Sequence, residues 1–201
     1  MNRSHFAISA GAIMLGALIY SAASFTQLAA ILTPAIVHEL GHIVTLRLFG
    51  LRIRRFSADV RGFCIEYGGV CSPLRHAAAA LAGPAAGIAY AFAASYYGRQ
   101  AGNEVLTLSA GVSLLLSAFN LLPVMPLDGG RVFAIAASEL LGARRGERLA
   151  RRLGLVVSVA LLFAGTWLMW NGRGGALILA AVWLLISQPE NDALVKRKEL
   201  L

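Results

Sequence analysis

Charged side chains are absent from Phe6 to Val37, and further charge-free runs occupy 77–98, 105–127, 153–172 and 174–189. A helical residue rises about 1.5 Å, so a hydrocarbon core about 30 Å thick takes about 20 apolar residues. The first run exceeds that need and divides near Ser24-Phe25, giving spans at 6–23 and 26–49. With 77–98, 105–127, 153–172 and the short 174–189, the pattern predicts six transmembrane helices. The segment 51–70, LRIRRFSADVRGFCIEYGGV, is patterned differently. There Ile53, Phe56, Ala58, Val60, Phe63 and Ile65 partly alternate with polar residues, which predicts strands with a turn near Arg61-Gly62. The expected fold class is an all-α polytopic membrane protein with a small membrane-associated β segment, forming one domain over 1–201.

Composition agrees with the pattern. The chain is 58% hydrophobic and 14% charged, with a mean hydropathy of +0.69. Soluble domains carry about 25% charged residues, so the soluble, disordered and disulfide-stapled secreted classes are excluded. Cys64 and Cys71 fit no metal spacing and read as reduced thiols. The net charge of +8 is an orientation signal. With both termini cytoplasmic, 16 of the 18 Lys and Arg lie inside and only Arg99 and Arg173 outside. Tyr96, Tyr97, Trp167 and Trp170 then fall at the outer helix ends, as an aromatic belt would. Reading the first 24 residues as a signal peptide would leave five spans and break the asymmetry. Nothing in the basic segments has the aromatic interleaving of a nucleic-acid surface. The expected surroundings are a lipid bilayer, in a cell membrane of bacterial cytoplasmic type.

The second span carries His38-Glu39-Leu40-Gly41-His42. Two histidines four apart share one helical face and can reach one metal ion. Glu39 lies about 100° around the helix from His38, so it can serve as a base without being a ligand. Ionisable groups inside a span are costly and mark function. Three of them in five residues make a merely structural polar cluster a poor explanation. Pro34, four residues before His38, removes one backbone hydrogen bond there.

A catalytic zinc site usually takes three protein ligands. The stretch Asn120-Leu121-Leu122-Pro123-Val124-Met125-Pro126-Leu127-Asp128-Gly129-Gly130-Arg131 supplies a third donor, Asp128, at the end of a charge-free run. Pro123 and Pro126 forbid a continuous helix, and Gly129 and Gly130 permit close approach or unusual dihedrals. A helix resumes at DGGRVFAIAASELL, where Asp128 also suits an N-cap. His42 lies about 12 Å from the inner end of its span, which puts the site in the cytoplasmic half.

With HELGH in one span and NLLPVMPLDGG in a later one, the chain resembles the site-2 protease family of intramembrane zinc metalloproteases, over about 25–185. The NLLPVMPLDGG form is most similar to the bacterial branch of the stage IV sporulation protease FB. The chain is expected to lack both the CBS domain of that branch and the PDZ-like insertion of the envelope-stress branch. The resemblance implies that His38, His42 and Asp128 hold one Zn2+ per chain, that Glu39 is the catalytic glutamate, and that Asn120 contacts substrate. Leu81-Ala82-Gly83-Pro84 resembles a family helix-packing motif, and 51–70 its membrane-associated sheet.

In that scheme Glu39 takes a proton from the attacking water and returns it to the leaving amine. The partners implied are a membrane-embedded or membrane-associated protein substrate, such as a sigma-factor precursor or an anti-sigma factor, and a regulatory membrane protein. A helical substrate must unwind, and an extended 121–127 segment or an edge of the 51–70 sheet would hold it by strand addition. Two other readings stand beside this one. A protease of the CAAX-processing type would take a glutamate as third ligand, for which Glu139 is the candidate. A non-proteolytic scaffold would need none of the four residues intact.

Overall fold

The computed structural model describes residues 5–8, 25–59, 62–68 and 72–188, with the backbone alone for the strands. The order is β1 (His5–Ile8), α1 (Phe25–Leu48), β2 (Arg52–Asp59), β3 (Gly62–Gly68), α2 (Pro73–Ala101), α3 (Glu104–Asn120), α4 (Asp128–Leu141), α5 (Ala143–Trp170) and α6 (Ala176–Ser187). The helices α1, α2 and α5 are long and apolar enough to cross a membrane; α3 and α6 are shorter apolar helices. The chain divides into two compact units, 1–120 and 121–201.

In the first unit α1, α2 and α3 pack against one another. Without water to drive association, helices in lipid pack through small residues that let backbones approach. A Cβ on Gly41 of α1 would lie 2.5 Å from the Ala82 carbonyl oxygen and 2.8 Å from the Ala86 Cβ of α2. One on Gly87 of α2 would overlap the Ser117 hydroxyl of α3. The fully or nearly buried positions are largely Ala, Gly and Ser, whereas Phe25, Leu48, Phe92 and Leu115 face outward. That inverts the soluble pattern and suits a hydrocarbon solvent.

Local sequence ends each helix. Gly50, at a φ of 72°, closes α1. The Gly50 N–H donates to the Arg47 carbonyl at 2.9 Å and the Leu51 N–H to the Leu46 carbonyl at 3.0 Å. This is the Schellman arrangement, with its usual apolar contact between Leu46 and Leu51. Ser72 caps α2, where Pro73 opens the helix; the Asn103 side chain caps α3, its Oδ1 accepting from the Leu106 N–H at 3.1 Å. The hairpin of β2 and β3 between α1 and α2 joins the N-terminal β1 in a sheet of order β1-β2-β3, with β1 parallel to β2 and β2 antiparallel to β3. Phe56 opposes Ile65, and the register is irregular between Ile53 and Arg55.

In the second unit α5 packs on both α4 and α6. Gly146 of α5 faces the backbone of Ala137 and Ser138 in α4, and a Cβ on Gly165 would lie 2.9 Å from the Ile178 nitrogen of α6.

Three expected boundaries are corrected. Phe6 to Ile8, placed at the start of a first span 6–23, belong to β1; the rest of that span lies outside the described residues, as does Cys71. The span 105–127 is helical only to Asn120, because Pro123 and Pro126 cannot continue it. The span 153–172 begins ten residues early, at Ala143. Arginine is a good helix former, so the basic run 144–152 extends the helix out of the apolar zone instead of ending it.

Candidate metal centre

The His38 and His42 side chains leave the same face of α1. Their rings stand at 78° with centroids 4.9 Å apart, and the two Nε2 atoms are 3.2 Å apart. Two nitrogens bound to one tetrahedral zinc at about 2.0–2.1 Å would be about 3.3 Å apart. The pair therefore already has a ligand spacing.

The tautomer of His42 is settled by its other nitrogen. Nδ1 lies 2.7 Å from the Ala79 carbonyl oxygen of α2. A carbonyl only accepts, so Nδ1 carries the proton, and in the neutral ring the Nε2 lone pair faces His38. A backbone carbonyl on the second ring nitrogen is the usual way a metal-binding histidine is oriented. Gly83 makes the room: a Cβ there would overlap the His42 imidazole itself. Sequence reasoning treated Leu81-Ala82-Gly83-Pro84 only as packing and did not single out Ala79. The available signal was a glycine beside a proline inside a span, a position open enough to receive a ring.

The candidate carboxylate, Asp128, opens α4 in the second unit. Leu127, extended at φ −65° and ψ 161°, occupies the cap position of α4. Asp128 is the first helical residue, one position past the cap that the sequence pattern also offered it. Buried at 6% exposure, it sits where the helix dipole favours negative charge. Arg131 Nη1 lies 3.9 Å away, one turn on.

The preceding 121–127 stretch is folded into tight turns. The Val124 N–H donates to the Leu122 carbonyl at 2.7 Å and the Leu127 N–H to the Val124 carbonyl at 2.8 Å. The Met125-Pro126 peptide is cis. The stretch is thus not the extended segment expected to pair with substrate. Gly129 and Gly130 have ordinary φ, and their role is close approach. A Cβ on Gly129 would overlap the Leu121 carbonyl group, and one on Gly130 would come 2.6 Å from the Met125 nitrogen.

Among the described residues, the one set of candidate metal ligands is His38 and His42 of the first unit and Asp128 of the second. Two imidazoles and a carboxylate suit zinc. Glu139, near the end of α4, is exposed and stands outside the group, which removes the ligand that the CAAX-type reading needs. Glu39 is half-buried on α1. Asn120, the last residue of α3, donates through Nδ2 to the Leu116 carbonyl at 3.0 Å.

Residues 99–165 match the family model described as Peptidase family M50. The chain is also 27% identical, over 126 residues, to a protein of Synechocystis sp. provisionally named a zinc metalloprotease. That match covers 59% of this chain and 33% of the relative, so the chain spans about a third of the relative's length. Among solved structures, the site-2 protease from Methanocaldococcus jannaschii superposes with a TM-score of 0.66 at 20% identity, over 87% of this chain and 82% of that one. The fold is shared with that structure.

Proposed function

We propose that this chain, which matches Peptidase family M50 over residues 99–165 and shares the fold of a site-2 protease, is an intramembrane zinc endopeptidase that hydrolyses membrane-embedded or membrane-associated proteins. The observation that carries the reading is the triad of His38, His42 and Asp128, with His42 held in its ligating tautomer by the Ala79 carbonyl. Zinc bound there would acidify a water and polarise a peptide carbonyl.

The chain's own residues do the rest. Glu39, one position from a ligand yet turned about 100° from it, takes a proton from water and gives it to the leaving amine. Asn120 spends one amide N–H on its own helix; the other N–H and the carbonyl oxygen serve the substrate backbone. A substrate helix must unwind before its carbonyls are accessible. With 121–127 folded on itself, the sheet edge at β3 takes the unwound strand. Both termini are cytoplasmic, which puts the site in the cytoplasmic half. The NLLPVMPLDGG form supports the sporulation-protease branch, whose substrates are regulatory proteins such as sigma-factor precursors.

Zinc analysis and cleavage together test this. Wild-type protein should hold about one zinc per chain, and Asp128→Ala should lose it. Glu39→Gln should keep the zinc yet cut a co-expressed membrane substrate about 1,000-fold more slowly. Equal cleavage by wild type and Glu39→Gln would sink the peptidase reading.

A further inference from the structure

The first ten residues of α5, ARRGERLARR, hold five arginines against one glutamate. Orientation alone needs positive charge somewhere on the inner side; it does not need it arranged. Here it is arranged. Gly146, Ala150 and Gly154 recur every four residues and are buried. Arg144, Arg145, Arg148 and Arg152 stay exposed, with Arg151 half-buried. Arg144, Glu147, Arg148 and Arg151 line an open crevice of about 360 Å³. The Arg148 Nε donates to the Arg144 carbonyl at 3.1 Å, which fixes the stem of that side chain and leaves its terminal N–H groups for another acceptor.

The helix start adds to the positive field. Arg144 and Arg145 stand in the first turn, where the dipole already favours anions. No acidic residue lies in that turn, and Gly142 offers no side-chain cap. The apolar neighbours set the depth. Leu140 is 84% exposed and Leu141 48%, just before the arginines. Leu155 and Val156 face outward just after them. Guanidinium groups between outward leucines and an apolar helix belong at headgroup level.

We propose that this arginine face binds the phosphate groups of anionic phospholipids in the leaflet it meets, with Leu140 and Leu141 seated among the acyl chains. Arginine forks pair with phosphate oxygens in two-point contacts, and basic clusters at membrane helix ends attract anionic lipid at short range. The inference stands apart from the peptidase reading, since lipid retention and zinc content are separate measurements.

The test uses the full chain extracted from vesicles of equal phosphatidylglycerol and phosphatidylethanolamine, with co-purifying lipids counted by native mass spectrometry. Wild type should retain phosphatidylglycerol preferentially. The variant Arg144→Gln/Arg148→Gln should lose that preference by about tenfold. Its zinc content should match wild type, and Arg144→Lys/Arg148→Lys, which keeps the charge without the fork, should recover only part of the lipid preference. A control, Lys196→Gln/Arg197→Gln, should leave the preference intact. The proposal is overturned if the control loses as much as the α5 variant, or if the α5 variant retains lipid as wild type does. Displacement of the lipid by millimolar inorganic phosphate would overturn it too, by assigning the site to a free anion.

Discussion

At the scale of the residue, the candidate centre depends on a side chain that is missing. The His42 imidazole fills the space over Gly83 and hydrogen-bonds the Ala79 carbonyl one turn away. Adding one methyl group there, in Gly83→Ala, forces the ring off the carbonyl or forces α1 away from α2. The first outcome frees the tautomer and misaims Nε2. Loss of the hydrogen bond that orients a metal-binding histidine typically costs about 10–100-fold in metal affinity or activity. We expect Gly83→Ala to stay helical by circular dichroism and to bind zinc about 10–100-fold more weakly in competition with a chelator. Unchanged zinc affinity would mean that the space over Gly83 is not what positions His42. The motif HELGH was legible in the sequence because the ligands and the base are adjacent on one helix. The supporting contacts were not, since a backbone carbonyl has no sequence signature and a glycine in a membrane helix has many uses.

Element boundaries follow from a competition between hydropathy and local stereochemistry, and hydropathy is the weaker partner at the ends. The charge-free run continues to 127, yet α3 stops at Asn120 because two prolines follow; charged residues continue to Arg152, yet α5 is already helical from Ala143. Hydropathy reports which solvent a segment meets, whereas hydrogen bonding decides whether it is helix. The turn at 121–127 shows the same division. Its prolines predicted a break, but its compact form depends on Gly129 and Gly130 letting the loop lie against the start of α4. Gly130→Ala would press a methyl group into the Val124 and Met125 backbone. Overpacking of this sort costs about 1–3 kcal/mol. Limited proteolysis of the purified chain should then cut within 121–127 faster than in wild type, with Gly111→Ala, where a Cβ meets nothing within 4 Å, as the neutral control. Equal cutting of both variants would show that the loop does not need that contact.

For the whole molecule, the uneven spread of 18 cations has to serve both orientation and chemistry. In the proposed orientation the positive flanks stay on the cytoplasmic side, so α5 would enter the membrane from its arginine-rich end and leave it at Trp170. Trp167 and Trp170 are exposed there, where interfacial tryptophans belong, and Arg173 follows directly. The same proposal would put Arg99, at the end of α2, on the outer side and the start of α2 on the inner side. His42 contacts α2 at Ala79, near that inner start, so orientation and site depth make one claim. A single cysteine tests it. In a background with Cys64→Ser and Cys71→Ser, Arg173→Cys should react with a membrane-impermeant maleimide on intact cells, and Arg148→Cys only after permeabilisation. Were Arg148→Cys to react on intact cells while Arg173→Cys stayed protected, the chain would sit the other way up. The triad would then open to the outside, and any cytosolic product would have to come from another enzyme.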